Sequence, residues 1–140
     1  MFHLPDAVAD VFVHNVFTVQ FLYEHLPLYI VALYPAMAEL AYDLVQSLGG
    51  FEGSALLGAL GVGFVHHLFY EIFDQLGPQL SWWSWNPDAE SNDPAVASVP
   101  MTSAFLFATV GPAALALLTR LLVGRRADRG EPIGGWALAG

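Results

Sequence analysis

The sequence contains no cysteine, which excludes disulfides, thiolate metal sites and thiol nucleophiles together. Charge is almost as scarce: 12% of the 140 residues are Asp, Glu, Lys or Arg, against roughly 25% in soluble domains. Lysine is missing altogether, and the basic side chains are four arginines, Arg120, Arg125, Arg126 and Arg129, all within one ten-residue window. A net charge of −9 argues against nucleic acid as a partner, because its binding selects basic surfaces. The first ten residues, MFHLPDAVAD, are acidic where a secretory signal would be basic. No cofactor motif is present.

What the chain has in abundance is apolar residues, 56% of the total, with a mean hydropathy of +0.53. Three runs are long enough to cross a hydrocarbon core, for which about 20 residues are needed. They lie at about 26–48, 54–74 and 100–123. The expected fold is therefore all-α: one polytopic membrane helical bundle occupying 1–140. Pro27 suits the first turn of the first span; Pro35 falls mid-helix and should kink it, freeing a carbonyl one turn back that neighbours must satisfy, and Pro112 is a second mid-helix proline. GGFEG at 49–53 is a turn. Gly77-Pro78 is expected to end the second span. A loop over 79–99 then carries WWSWN and the acidic, turn-rich PDAESNDP.

Two stretches are ambiguous. Residues 1–25 are apolar but interrupted by Asp10, His14, Asn15, Gln20 and Glu24, and read as a membrane-hugging extended segment or as a polar span. The tail EPIGGWALAG turns apolar again, as if a fourth helix were beginning. Three helices bury little polar surface, so missing helices or a homo-oligomer are expected.

Loops rich in arginine stay cytoplasmic, which places the basic loop 124–132 inside and the tryptophan loop outside, with Trp82, Trp83 and Trp85 at the membrane boundary. Membrane lipid is then the standing partner, with anionic headgroups beside Arg125 and Arg126.

Within the second span Ala55, Ala59, Gly63, His67 and Glu71 recur every four residues. Small residues in such a stripe let membrane helices approach closely, so the stripe predicts that His67 and Glu71 face protein rather than lipid. The adjacent His66 is turned by about 100° from His67. Glu39 and Asp43 share one face of the first span. Counting about 1.5 Å per residue from the outer end, Glu39 lies roughly 15–18 Å deep, His67 roughly 10 Å and Glu71 roughly 5 Å. Tyr34 falls level with His67. Tyr34, Glu39, His67 and Glu71 are thus expected to line one pocket, with Asp74 and the tryptophans at its mouth. His14 and His25 are expected to be exposed, and Tyr29, Tyr42 and Tyr70 to serve packing.

Ionisable groups in an apolar span imply function by default. Three readings are open. A buried carboxylic acid keeps its proton and can deliver it to an alkene, with aromatic faces stabilising the cation that forms; Glu71 is the first candidate acid, Glu39 the second, and His67 the proton-accepting partner. Alternatively His67, Glu71 and Asp74 have the helical spacing of a metal site, although no histidine box accompanies them. Finally the carboxylates can form a proton or ion path, and the simplest alternative of all is a His67–Glu71 hydrogen bond that only holds the bundle.

The order Glu71, Gly77, Trp82-Trp83-x-Trp85, then Val99-Pro100 opening a helix, together with LPLYIVALYP at 26–35, resembles polytopic carotenoid-biosynthesis membrane proteins, the carotenoid hydratases and membrane-type lycopene cyclases. The resemblance covers 26–123 and implies acid-initiated chemistry on a lipid-soluble isoprenoid, with an intramembrane carboxylate as donor. It favours Glu71, His67 and Glu39 as catalytic residues and Tyr34, Trp82, Trp83, Trp85 and Asp74 as substrate-binding ones. Members of that group are longer.

Overall fold

The computed structural model describes residues 12–14, 19–21 and 26–130. It is predominantly helical, and three helices are long and apolar enough to cross a membrane: α1 (Leu28–Ser47), α2 (Ala55–Gln79) and α3 (Ser103–Asp128). The expected all-α bundle is what is found. His25 and the tail at 131–140 lie outside the described residues. The described parts of 1–25 are extended: β1 (Phe12–His14) and β2 (Gln20–Phe21).

The bundle is inside-out relative to a soluble protein. Along α2, Leu56, Leu60, Phe64, Leu68 and Ile72 are exposed, whereas Gly58, Ala59, Gly63, His66, Tyr70 and Asp74 are buried. Lipid solvates apolar side chains, so helix contacts fall to small residues and to polar groups that need partners. A Cβ on Gly63 would lie 2.7 Å from the Thr109 carbonyl oxygen and 2.9 Å from Ala113 Cβ. Only glycine admits α3 this closely. Both α1 and α3 pack on α2, which is the central helix.

Helix ends follow from local chemistry. Ser54 caps α2, its Oγ accepting from the Leu57 amide at 3.4 Å. At the end of α1, Gly49 adopts φ +75°, and the amides of Gly49 and Gly50 bond back to Gln46 and Val45. This is the left-handed termination for which glycine carries no Cβ penalty. Gly77-Pro78 does not end α2, contrary to expectation. The helix continues to Gln79, because the proline sits in the final turn and only the carbonyl of Asp74 loses a helical donor. Termination comes at Ser81, φ 57°, where the Ser81 and Trp82 amides bond to Pro78 and Gly77.

After this turn β4 (Trp83–Trp85) pairs antiparallel with β1, His14 opposite Trp83 and Phe12 opposite Trp85. The second strand, β2, pairs with β3 (Leu26–Pro27), and β5 (Ala95–Val96) with β6 (Val99–Pro100). The Asp93–Pro94 peptide is cis. The loop is strapped down by Asn92 Nδ2 donating to the Asn86 carbonyl at 2.9 Å and Thr102 Oγ1 to the Ser91 carbonyl at 2.5 Å.

In α3 the turns over Ser103–Val110 and Arg120–Gly124 widen to the five-residue hydrogen-bond spacing. Pro112 accounts for the first, since it lacks the N–H that would bond Ala108 and its ring crowds that carbonyl.

Candidate functional site

Helix α2 carries the ionisable residues, and their contacts sort them into two groups. His66 is 1% exposed, Tyr70 5% and Asp74 3%, all three on the face that meets α1 and α3. The Asp74 carboxylate accepts from Ser103 Oγ at 2.6 Å, at the entrance of α3. Tyr70 and Tyr34, the latter from α1, join their hydroxyls at 2.5 Å, with rings 5.5 Å apart and edge-on. His66 stacks on Tyr70 at 5.6 Å and directs Nδ1 to the Ala108 carbonyl at 2.8 Å. A carbonyl only accepts, so Nδ1 carries the proton. This carbonyl is the one that Pro112 leaves without its helical donor. The freed group and its satisfying neighbour, expected of such a proline, are Ala108 and His66.

Tyr34, Tyr70, Asp74 and Ser103 border a partly open cavity of about 60 Å³ at the tryptophan end, whose lining also includes His14, Leu33, Phe73, Trp83, Trp85 and Phe107. A cavity of that size has room for a few waters or one small group. Trp83 forms one lip: its ring lies against Gly77 so closely that a Cβ there would come within 2.1 Å of Cη2. His14 forms the opposite lip. Its Nδ1 is 2.9 Å from the Tyr29 hydroxyl, and its ring meets Trp83 edge-on at 5.9 Å. Burial lowers the His14 pKa below the usual 6.5, which favours a neutral imidazole. His14 is therefore a lining residue, not the exposed one expected.

The second group is His67 and Glu71, with side chains 33% and 28% exposed, on the flank of α2. Thr109 Oγ1 donates to the Ala104 carbonyl at 2.9 Å, so its contact with His67 Nδ1 at 3.0 Å has the histidine as donor. Nε2 of the same ring lies 3.9 Å from Glu71 Oε1, beyond hydrogen-bond distance, and that oxygen is buried without a hydrogen-bond partner. Glu71 Oε2 also accepts from Gln75 at 3.4 Å, and Gln75 Oε1 accepts from Ser98 at 3.0 Å.

The single pocket expected from depth therefore divides. Tyr34, Asp74, Trp83 and Trp85 meet in the cavity. His67 and Glu71 pair outside it. Glu39 lines a separate space of about 320 Å³ between α1 and α3, with Asp43 and Thr119. Trp82 lines an apolar groove of about 500 Å³ on the membrane-facing side, with Tyr29, Ala32, Leu33, Ala36 and Phe73. His67, Glu71 and Asp74 do not converge, and among the described residues no three His, Asp or Glu side chains are arranged to hold a metal ion.

Sequence reasoning missed Tyr70 and His66, treated as packing or as turned away, and Ser103 and Thr109 altogether. Pro112 was the available signal for Ala108, and hence for a donor facing it. Comparison with known proteins gives no match: no family model, no curated protein and no solved structure is similar to the chain.

Proposed function

We propose that the chain is a membrane-embedded protein that binds a lipid-soluble, isoprenoid-like molecule and transfers a proton to it from Asp74. The observation carrying this reading is a shared wall. Leu33 and Phe73 border both the apolar groove of about 500 Å³ and the cavity of about 60 Å³ that holds Asp74. A long apolar ligand lying in the groove has one end separated from Asp74 only by those two side chains, and a rotamer change of Phe73 connects them. Asp74 replaces Glu71 and Glu39 as the acid because neither of those lines the cavity.

In the reaction the Asp74 carboxyl proton goes to one alkene carbon, whose π electrons form the new C–H bond. The neighbouring carbon becomes cationic and faces Tyr34, Tyr70, Phe73 and Trp83, whose ring faces stabilise positive charge. Loss of a proton from an adjacent carbon back to the Asp74 carboxylate closes the cycle. The test is pigment analysis in a polyene-producing host. Wild type is expected to alter the profile, Asp74→Asn to abolish the change while folded, and Glu71→Gln to retain it. A profile that folded wild type leaves untouched would sink the reading.

A proton path across the bundle has weaker support. Met37 and Ala108, packed against Tyr70, are buried and apolar, and the Nδ1 proton of His66 is committed to a carbonyl. We also read the arginine end as cytoplasmic, which opens the cavity toward the other side. A reporter fused after Arg129 checks this.

A further inference from the structure

The space lined by Glu39 lies midway along the bundle, on the arginine side of the cavity, and owes nothing to the proton-transfer reading. Because α1 and α3 both pack on α2 without closing on each other, they leave a trough of about 320 Å³ whose floor is Val62 and whose walls include Ala38, Leu115 and Ala116. Glu39 and Asp43 open onto it and are exposed. At about 1.5 Å per residue, Glu39 stands roughly 12 Å from the nearer end of α1, well inside a hydrocarbon layer of about 30 Å. Among the described residues neither carboxylate has an ion-pair or hydrogen-bond partner.

Carboxylates at such depth are stabilised by a cation or by water. This sequence has no lysine, and its arginines all lie within 120–129. Arg120, the first of them, is bonded to Asp128 and lies over the Phe51 ring at 5.4 Å. In a second copy Arg120 would be held by the same Asp128 and Phe51 contacts, and Arg125, Arg126 and Arg129 stand in or beyond the last turn of α3. The small wall residues let another backbone approach, and the apolar rim matches a helix surface.

We propose that this trough is the seat of a further transmembrane helix bearing a Lys or Arg, whose cation pairs with Glu39 and Asp43. The helix lies over the trough, and the space within takes its side chains.

The absence of cysteine makes the test direct. The full chain, donor-labelled and reconstituted in liposomes, is titrated with acceptor-labelled polyleucine transmembrane peptides carrying one central Arg or none. Energy transfer is expected to report at least tenfold tighter association of the Arg peptide. Glu39→Gln with Asp43→Asn, both at exposed positions and checked for folding by circular dichroism, should erase the preference. Glu39→Lys should transfer it to a peptide with a central Glu. Equal binding of Arg and plain peptides by folded wild type overturns the proposal. So does efficient disulfide cross-linking of two copies through Leu115→Cys, which makes a second copy the occupant. Labelling of Glu39→Cys by an impermeant thiol reagent, which makes the trough a water-filled vestibule, overturns it as well.

Discussion

The two ends of α2 are built alike and filled differently. At the arginine end, α1 terminates in a left-handed turn at Gly49, the chain doubles back, and Phe51 lays its ring on Gly58, where a Cβ would come within 2.2 Å. At the tryptophan end, α2 terminates in the same kind of turn at Ser81, the chain doubles back, and Trp83 lays its ring on Gly77. Beneath Phe51 is an apolar cluster of Ala41, Val45, Ala59, Val62 and Ala116. Beneath Trp83 are Tyr34, Tyr70, Asp74 and Ser103. The arginine end demonstrates that this construction closes over an apolar core. The polar filling is therefore not something the fold requires, and burying it carries a desolvation cost that only its internal hydrogen bonds offset. That contrast is the physical ground for proposing a function at the tryptophan end.

The largest expected effects come from unseating the rings. Gly58→Ala and Gly77→Ala each force an aromatic ring to move, and overpacking of this kind costs about 1–3 kcal/mol. Both variants should unfold at lower temperature in detergent. Only Gly77→Ala should shift tryptophan emission, since Trp83 is the ring displaced. A Gly77→Ala protein with wild-type emission and stability would mean the two seats are not equivalent.

Next in size is the hydrogen bond beneath Trp83. Asp74→Ala strands the buried Ser103 hydroxyl, and Ser103→Ala strands the carboxylate, each at about 1–3 kcal/mol. Removing both makes the tryptophan end resemble the arginine end, so the double variant should lose less stability than the two single losses added. Additive losses would show that the pair is not coupled.

The three spans were legible because twenty-residue apolar runs have one physical meaning in a chain so poor in charge. The site was legible in part, and the reason is angular. A stripe of every fourth residue rotates by about 400° per step, so it drifts about 40° each time and carries Glu71 about 120° from Ala59. His66, Tyr70 and Gly77 lie within about 20° of Ala59 at 3.6 residues per turn. The small residues Ala59 and Gly63 did mark the packed face, and extending them by strict fours reached its flank, where His67 meets Thr109 of α3, while passing over His66 and Tyr70 at its centre. Ser103 and Thr109 carry no pattern of their own. They matter because the antiparallel register of α2 and α3 brings them opposite Asp74 and His67, and no local signal encodes that register. The β1–β4 pairing that brings His14 to the cavity is a contact between residues some 70 apart, equally silent in sequence.

A smaller effect tests the lip. His14 has a folded pKa below 6.5, so between that value and 6.5 the unfolded segment binds more protons than the folded one. Stability therefore rises with pH across this window. The contribution of the seated neutral imidazole is complete above about pH 6.5 and is lost as pH falls through the folded pKa. Tryptophan emission followed from pH 8 to pH 5 should move as His14 leaves Trp83, and His14→Gln should flatten the change. The arginine end has no described histidine at its lip, so the Tyr42–Phe51 contact should not respond.

The smallest effect separates the two turns themselves. Both C-terminal residues are left-handed, φ +75° at Gly49 and 57° at Ser81, but only one is glycine. A side chain in that region is disfavoured by roughly 1 kcal/mol, so Ser81→Gly should stabilise the protein by about 0.5–1 kcal/mol and Gly49→Ser should destabilise it by a similar amount. The second value has an added term, because a Cβ at Gly49 would stand 3.1 Å from the Glu52 carboxylate, whose flexible side chain can move aside. Ser81 makes a further interaction of its own, so its replacement also removes that contribution. A gain from Ser81→Gly in thermal unfolding means backbone strain outweighs what the hydroxyl contributes. A loss means Ser81 is retained at the cavity end for its side chain, and the likeness of the two turns stops at the backbone.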